Sequence, residues 1–232
     1  MKVLITGGTG FVGYWMSKTQ PKGIDATYLN RKQYYDCLWA AKKWDAIVHL
    51  ALVSPSYVLQ KAPRVLFASS GAVYEGRTEY ADNKRKWEKL CLDSDVVIAR
   101  LFTFVGERLK NLYAITNFID DALHGRPITV CGNGNTVRSY LYGEDLGHWM
   151  WGLLFGLSGT YDVGSYVPYT TLEVARLVAD IIPAKIEVLN APGVPTTRYL
   201  PNITYSEWEK VGLREAIERT INARYYVLHA SL

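Results

Sequence analysis

Short apolar runs alternate with amphipathic stretches through the N-terminal part of the chain. The runs are rich in β-branched side chains and nearly continuous in apolar character, which is typical of strands buried on both faces. Because helical stretches separate them, the pattern predicts an α/β fold with a parallel, doubly wound sheet. The predicted strands are 2–6, 25–30, 45–52, 64–70 and 94–102, and the predicted helices among them are 11–20, 36–44 and 80–93.

Beyond residue 112 the pattern changes. Fewer apolar runs occur, and longer helical stretches dominate. We therefore expect a first domain over 1–112 and a smaller C-terminal domain over 113–232, from which one segment returns to the first sheet. The elements predicted there are helices at 111–125, 170–182 and 206–222 and a strand at 127–132.

Composition narrows the classes of function. A net charge of +4 without a long run of like charges gives little support for nucleic-acid binding. Cys37, Cys91 and Cys131 are far apart and lack the spacing of metal ligands, so we expect a reduced protein without a metal site. The longest apolar stretch, 149–157, is too short to span a bilayer, and no signal segment is recognised. We expect a cytoplasmic protein that binds no membrane.

The first predicted strand leads directly into "TGGTGFVG" at 6–13, which opens the first predicted helix. This order places backbone N–H groups at a helix N-terminus, where they can bind a pyrophosphate. It is the arrangement of a dinucleotide site in a Rossmann-type sheet, although a tight turn alone would need the same glycines. The cofactor contacts predicted here are Gly7, Gly10, Phe11, Val12 and Gly13.

The end of the second predicted strand indicates which dinucleotide binds. An acidic residue at this place would hold the ribose hydroxyls of NAD. The chain instead has Asn30, followed by Arg31 and Lys32. Asn30 and Arg31 are therefore predicted cofactor contacts that favour the 2′-phosphate of NADP over NAD. The alternative is that the two cations simply point to solvent.

Several motifs in fixed order resemble the extended short-chain dehydrogenase/reductases, specifically the NAD(P)-dependent nucleotide-sugar epimerase/dehydratase family. The resemblance implies a Rossmann-type sheet with a smaller C-terminal substrate-binding domain, and a nucleotide-diphosphate sugar as substrate. The matching segments are "TGGTGFVG" (6–13), "HLAL" (49–52), "LFASSGAVYE" (66–75), "YADNK" (80–84), "ARLFTFVGE" (99–107), "GRPITVCGNGNTVRSYLYGEDL" (125–146) and "GTYDVGS" (159–165).

A Tyr-x-x-x-Lys pair is part of this resemblance, but the chain holds 17 tyrosines and four such pairs. Only Tyr80 and Lys84 follow the Ser-Ser end of a predicted strand and begin a predicted helix, where their spacing places both on one face. The resemblance implies a catalytic triad of Ser70, Tyr80 and Lys84. Lys84 and the nicotinamide would favour the phenolate of Tyr80, which then takes a proton from a sugar hydroxyl held by Ser70. Ser70 could instead only cap its strand.

The resemblance also implies further contacts. Arg138 and Arg198 would hold the diphosphate of the substrate, Asn117 would hold a phosphate, and Ser70 would hold the reacting oxygen. Arg100 is interpreted as structural. The further cofactor contacts implied are Leu50, Ala51, Ser69, Tyr80 and Lys84.

The chain departs from the family pattern in four places, one of which is Thr103, where the family usually has an asparagine. Gly71 and Ala72 stand where family dehydratases have an Asp-Glu pair, which disfavours dehydration. The connections 53–63 and 71–79 are short. The first would remove a helix of the usual dimer interface, so we expect a monomer or an atypical homodimer, and the second would shorten a loop beside the substrate.

Three interpretations follow. The leading one is epimerisation of a nucleotide-diphosphate sugar through a 4-keto intermediate. The second is reduction of a 4-keto-6-deoxy nucleotide sugar by NADPH. The third is a dinucleotide-binding sensor or scaffold without catalysis, which retention of Ser70, Tyr80 and Lys84 disfavours.

Overall fold

The computed structural model describes residues 1–30, 32–33, 43–92, 95–110, 113–156, 158–190, 196–202 and 206–229. The predicted cofactor contact Arg31 and most of the predicted helix 36–44 lie outside this set. The strands are β1 (Lys2–Thr6), β2 (Asp25–Leu29), β3 (Ala46–His49), β4 (Arg64–Ser70), β5 (Val96–Leu101), β6 (Phe104–Val105), β7 (Ile128–Cys131), β8 (Val137–Arg138), β9 (Leu141–Tyr142), β10 (Gly159–Val163), β11 (Tyr169–Thr170), β12 (Ile186–Leu189) and β13 (Arg198–Tyr199). The helices are α1 (Phe11–Lys18), α2 (Ala72–Glu75), α3 (Glu79–Cys91), α4 (Ala114–Leu123), α5 (Gly143–Phe155), α6 (Thr171–Ile181) and α7 (Leu213–His229).

One structural unit consists of Met1–Phe102 and Glu144–Val163. Its six-stranded sheet has the order β10-β5-β4-β3-β1-β2, and every pair in it is parallel. The inner strands are apolar on both faces and fully buried over most of their length, whereas the edge strands β2 and β10 are partly exposed. The fold class predicted from the apolar runs, a doubly wound parallel sheet, is confirmed.

The direction of winding reverses between β1 and β3. From β1 the chain proceeds to β2 on one side, while β3, β4, β5 and β10 follow on the other side. In doubly wound sheets, ligands bind outside the carboxyl ends of the strands at such a reversal. The glycine loop follows β1 and the segment Leu50–Ala51 follows β3, so both lie at this position.

Helices cover the two faces of this sheet. Because right-handed crossovers run in opposite directions from β1 and from β4, α1 and α3 lie on opposite faces. α5 packs beside α1, where the indole N–H of Trp151 donates to the carbonyl of Met16 at 2.9 Å. On the α3 face, the short connection before β4 forms only a 3₁₀ turn, Pro55–Tyr57, and Val58 fills the apolar cluster beneath it.

The second unit consists of Thr103–Gly143 and Gly164–Leu232. Its strands form small sheets of two or three strands, in the orders β11-β8-β13, β12-β7 and β6-β9. The helices α4 and α6 supply much of its core through one apolar face each, as their spacing predicts. α6 begins with a capping box, in which the hydroxyl of Thr170 accepts from the backbone N–H of Glu173 at 3.2 Å.

The boundaries differ from the expected ones in two places. The first unit ends at Phe102 rather than at residue 112, because β6 pairs with β9 in the second unit. The last helix, expected over 206–222, runs over Leu213–His229 and begins after Gly212, while Ser206–Trp208 form a 3₁₀ turn. Within the described part of the chain, no helix has both the length and the apolar character needed to cross a membrane.

Candidate active site

The glycine loop between β1 and α1 leaves no room for side chains. Gly7 has a φ of 69°, and a Cβ placed on it would lie 2.9 Å from the backbone nitrogen of Ala51. A Cβ on Gly13 would lie 2.3 Å from the carbonyl oxygen of Gly8. The loop therefore lies directly against the segment after β3, and α1 begins directly against the loop. The N-terminus of a helix carries the positive end of its dipole, so this end of α1 can bind an anion.

His49, the last residue of β3, fixes the strand ends beside this loop. Its Nδ1 lies 2.8 Å from the hydroxyl of Thr6 at the end of β1, and its Nε2 lies 3.0 Å from the carbonyl of Val53. The imidazole is fully buried, and burial lowers the pKa of His49 to about 4, with a smaller contribution from the charge of Lys84. His49 is therefore a neutral structural link at physiological pH, and sequence reasoning assigned it no role.

Asn30, the predicted ribose contact, closes the turn that follows β2. Its Oδ1 accepts from the backbone N–H groups of Lys32 at 2.9 Å and of Gln33 at 3.0 Å. The carboxamide oxygen is thus engaged within the turn. Because Arg31 lies outside the described residues, the preference for NADP stays a prediction.

Ser70 and Tyr80 lie on consecutive elements of the same unit. Ser70 is the last residue of β4 and is buried, and its Oγ accepts from the backbone N–H of Ala72 at 3.2 Å. Tyr80 lies in the first turn of α3, which begins after the N-cap Thr78, and it is 44% exposed. The serine hydroxyl is thus held at the carboxyl edge of the sheet, while Tyr80 is partly exposed to solvent.

Lys84 lies one turn after Tyr80 and is buried against β4. It is 2% exposed, and its Nζ donates to the carbonyl of Ala68 at 2.6 Å. Nζ also lies 4.8 Å from the ring centre of Phe67 and 5.2 Å from that of Trp87. Burial lowers the pKa of Lys84 to about 8, opposed by the negative charge of Glu88. The ammonium is thus present at neutral pH and lost above pH 8.

Burial distinguishes this Tyr-x-x-x-Lys pair from the others. In the pairs Tyr14/Lys18, Tyr57/Lys61 and Tyr80/Lys84, the distance from Nζ to the ring centre is 5.6, 5.5 and 5.8 Å. Spacing and ring distance are therefore equivalent in all three. Lys18 and Lys61 are exposed to solvent, whereas Lys84 is buried beneath a strand end. An ammonium perturbs a neighbouring pKa far more when water does not screen it.

Glu88 is a buried carboxylate that sequence reasoning missed. It lies one turn after Lys84 on α3, and Oε1 accepts from the hydroxyl of Ser69 at 2.5 Å and from Nε of Arg100 at 3.0 Å. Oε2 accepts from a terminal nitrogen of Arg100 at 2.7 Å. We call Ser69, Glu88 and Arg100 the Glu88 cluster. Its only signal in the sequence is the spacing of four residues from Lys84.

The Glu88 cluster bears on two earlier interpretations. Arg100 contacts Glu88 inside the protein, which agrees with its interpretation as a structural residue. The hydrogen bonds to Glu88 raise the pKa of Arg100, so its guanidinium stays charged. Ser69 was predicted to contact a cofactor, but its side chain is buried and its hydroxyl donates to Glu88. The side chain of Ser69 therefore gives that prediction no support.

The predicted substrate residues of the second unit are not brought together. Arg138 on β8 pairs with Tyr199 on β13, and Arg198 pairs with Val137. Because side chains alternate along strands, the two guanidinium groups point to opposite faces of this pair. Arg138 is half-buried, donates to the hydroxyl of Thr197 at 2.9 Å and stacks on the ring of Tyr199. Burial lowers its pKa.

Arg198 is exposed at the same short sheet. Asn117 is exposed on α4, with its backbone N–H bonded to the carbonyl of Tyr113 at 3.0 Å. Nothing in the geometry of either side chain distinguishes it from an ordinary surface residue. Their roles toward a substrate stay predictions.

Known proteins are similar to this chain in sequence and in fold. The model of the NAD dependent epimerase/dehydratase family matches residues 50–164. UDP-glucuronic acid decarboxylase 4 of Arabidopsis thaliana is 34% identical over 61% of the chain and 35% of that protein. UDP-glucuronic acid decarboxylase 1 of the same plant is 28% identical over 96% of the chain and 69% of that protein. The chain thus spans about a third of the first relative and about two thirds of the second.

Solved structures agree on the fold. The complex of UDP-glucose 4-epimerase from Thermus thermophilus with NAD has a TM-score of 0.77 at 23% identity, over 96% of this chain and 98% of that one. The UDP-glucuronic acid 4-epimerase of Bacillus cereus, in complex with UDP-glucuronic acid and NAD, has a TM-score of 0.76 at 16% identity, over 98% and 100%. The glycine loop at the β1/β3 reversal, the Ser70 strand end and the buried Lys84 of a Tyr-x-x-x-Lys helix occur here together in the order that the sequence resemblance requires. The chain therefore resembles the NAD dependent epimerase/dehydratase family, whose model matches the segment that holds Ser70, Tyr80 and Lys84.

Proposed function

We propose that this protein is an NAD(P)-dependent enzyme that oxidises C4 of a UDP-sugar and reduces the resulting ketone from the other face, which is epimerisation. The observation that carries the proposal is the burial of Lys84 beneath the end of β4, one turn after the exposed Tyr80. A buried ammonium in this place has a chemical use, because it favours the phenolate of Tyr80. Because Lys84 is also a predicted cofactor contact, it is the pairing of this ammonium with the exposed Tyr80, and not the ammonium alone, that favours an enzyme over a dinucleotide-binding scaffold.

Tyr80 serves as the acid and base of the proposed reaction. A phenol with a pKa of about 10 is a poor base at neutral pH, and lowering that pKa by about 3 units takes roughly 4 kcal/mol. Lys84 contributes part of this as a charge that water screens little. Tyr80 then takes the proton of the C4 hydroxyl while Ser70 donates to the same oxygen. After the hydride returns, Tyr80 gives the proton back to the oxygen.

The glycine loop fits a dinucleotide. A Cβ on Gly7 or Gly13 would collide with backbone atoms, so both positions require glycine, and the helix N-terminus that follows the loop suits a pyrophosphate. When bound, the nicotinamide supplies the hydride acceptor and donor.

We further propose that Arg31 gives NADPH tighter binding than NADH. Fluorescence titration tests this, with Arg31→Asp expected to shift the preference toward NADH, and a clear NADH preference in the wild type would contradict it.

The uridine diphosphate part of the substrate is proposed from the relatives. Two sequence relatives are UDP-glucuronic acid decarboxylases, and two structural neighbours are UDP-sugar 4-epimerases. We propose that Arg138 binds the diphosphate, because its guanidinium is half-buried and already oriented by Thr197 and Tyr199.

A second candidate is decarboxylation of UDP-glucuronic acid. It is favoured by sequence relatives that carry this name and are 28–34% identical to the chain. Both reactions begin with removal of a hydride from C4 and of a proton from the C4 hydroxyl. Ser70, Tyr80 and Lys84 would therefore serve in either reaction. They differ in whether the sugar carboxylate is kept or leaves as carbon dioxide.

Incubation of the purified protein with NAD⁺ and with UDP-glucose or UDP-glucuronic acid separates these reactions. Proton NMR and mass spectrometry of the nucleotide sugar should show a C4 epimer of unchanged mass. Loss of carbon dioxide would establish the second candidate instead. A reductase would act only on a 4-keto-6-deoxy nucleotide sugar with NADPH, and conversion of none of these substrates would contradict an enzymatic function. Lys84→Met is the matched control, because it removes the ammonium and keeps a long apolar side chain.

A further inference from the structure

We propose that Glu88 is a positioning residue of this reaction, because its carboxylate fixes the end of β4, beside Ser70, against the helix that carries Tyr80 and Lys84. Three elements meet at this one side chain: β4, which bears Ser70, through Ser69; β5 through Arg100; and α3, which bears Tyr80 and Lys84, directly. The inference rests on the proposed function for its kinetic readout only.

The geometry leaves Glu88 no equivalent substitute. Its carboxylate accepts three hydrogen bonds, one from a hydroxyl and two from the nitrogens of a guanidinium. An amide has one acceptor oxygen, and its NH₂ group would face a donor. The side chain of Glu88 is 10% exposed, so water does not readily replace a lost partner. Glu88→Gln should therefore release Ser69 or part of Arg100 and loosen the strand end at Ser70.

The charge of Glu88 also acts on Lys84. The charged and titratable groups around Glu88 are Arg100 from β5, Lys84 and Cys91 on its own helix, and the groups that line the same cavity, Tyr74, Asp82, Arg85, Lys86 and Lys89. Burial and the charge of Glu88 raise the pKa of Cys91 to about 12. The groups around Lys84 are His49 from β3, whose neutral form adds no charge, and Tyr80 and Glu88 from α3. Without the carboxylate, Lys84 would face the uncompensated cation of Arg100. Its ammonium would then be lost at a lower pH.

The test compares two carboxylates of the same helix. Glu88 pairs with Arg100 at 2.7 Å inside the protein, and Asp82 pairs with Arg85 at 2.6 Å on the exposed face. Glu88→Gln and Asp82→Asn each remove one charge from an arginine pair on α3. Glu88→Asp keeps the charge and shortens the reach, so it separates the two contributions of Glu88 and remains informative if Glu88→Gln does not fold.

The first readout is the titration of Lys84, followed through the ¹³Cε chemical shift and assigned by its absence in Lys84→Arg. In the wild type we expect the midpoint near pH 8. In Glu88→Gln it should fall by about one unit or more, which is the usual effect of removing an adjacent opposite charge. In Asp82→Asn and Glu88→Asp it should stay close to that of the wild type. An unchanged midpoint in Glu88→Gln would overturn the proposal, and this measurement needs no substrate.

The second readout is the pH profile of turnover. Glu88→Gln should lower kcat at pH 7.5 by about tenfold, leave KM within about twofold, and move the alkaline limb to lower pH by as much as the Lys84 midpoint moves. Glu88→Asp should lower kcat without moving that limb. If kcat and the limb of Glu88→Gln match those of Asp82→Asn, Glu88 has no part in the reaction. If the wild type converts no sugar at all, the proposed function fails alone, and the Lys84 midpoint still decides the effect of Glu88.

Discussion

The two units of the chain differ in the architecture of their sheets and in the burial of their polar side chains. The unit of Met1–Phe102 and Glu144–Val163 is one continuous parallel sheet, and its polar groups at the strand ends are buried and bonded. The unit of Thr103–Gly143 and Gly164–Leu232 has short sheets of two or three strands, and its predicted substrate residues are half-buried or exposed.

This difference has a chemical reason. Proton transfer needs a group whose pKa lies near the working pH, and burial and neighbouring charges are two causes that shift pKa values far. His49 and Lys84 show such shifts in the first unit. Recognition of a charged, hydrated substrate needs reachable donors instead, such as Arg138 in the second unit. If this distinction is correct, substitutions in the first unit should affect turnover or folding, and those in the second should affect KM.

The largest effect is expected at Tyr80. Tyr80→Phe removes the group that exchanges the proton and keeps the ring, so turnover should fall by about 10²–10⁴-fold. Cofactor affinity should change little, because the glycine loop and Lys84 remain. Initial rates with the converted UDP-sugar and titration with the cofactor measure the two effects.

Tyr57→Phe is the matched control for this prediction. Tyr57 belongs to a Tyr-x-x-x-Lys pair with nearly the same ring-to-ammonium distance, but Lys61 is exposed. Its rate should equal that of the wild type. Full activity of Tyr80→Phe would show that the pair is misassigned, and Tyr74, which donates to Asp162 at 2.9 Å, would be examined next.

The fold of the first unit could be predicted from sequence because its signals are local. The stretch 64–70 matches β4 residue for residue, and its central run of four apolar residues, 65–68, is typical of a strand buried on both faces. The last helix was placed too early, because the stretch 206–212 has polar and apolar residues that suit either a 3₁₀ turn or a helix. Its start depends on tertiary packing, which periodicity does not report.

The next largest effect concerns the stability of the first unit in acid. His49 has a pKa of about 4 in the folded state and 6.5 in the reference state, so the unfolded chain binds more protons between these values. Stability must therefore fall as pH falls through this window, by roughly 2–3 kcal/mol between pH 7.5 and 4.5. Urea unfolding at both pH values measures it.

His49→Gln should remove this part of the pH dependence, although it lowers stability at pH 7.5 through the lost bonds to Thr6 and Val53. A pH dependence of stability in His49→Gln as large as that of the wild type would contradict the assignment to His49.

A smaller effect is expected at two glycines. Gly13→Ala places a methyl group against the carbonyl of Gly8, and overpacking of this kind costs about 1–3 kcal/mol. It should also weaken cofactor binding, because the loop and α1 must move apart. Gly212→Ala in the second unit meets no atom within 4 Å and should change stability by less than about 0.5 kcal/mol. Thermal unfolding and cofactor titration measure both, and a Gly13→Ala variant with normal binding would contradict the loop assignment.

The candidate site was only partly accessible from the sequence. The glycine loop, Ser70, Tyr80 and Lys84 carry local motifs, whereas the Glu88 cluster joins residues 69, 88 and 100 of three different elements. Such a cluster has no sequence signal beyond a single helical spacing. Strand register likewise has no signal in the sequence. The pairing of β8 with β13 places Arg138 and Arg198 on opposite faces, and only the structure gives this pairing.

The smallest effect expected is the one that most directly tests the second unit. Arg138→Gln should raise KM for the UDP-sugar by about tenfold with kcat within twofold, because it removes a charge-assisted contact to a diphosphate that is the same before and during the reaction. Arg198→Gln on the opposite face should change KM by less than twofold. If the two variants raise KM equally and their double variant raises it no further, both arginines hold one phosphate group, and side-chain reach rather than strand register decides what binds there. If Arg138→Gln instead lowers kcat with KM unchanged, the second unit acts in the chemical step, and the distinction between the two units fails.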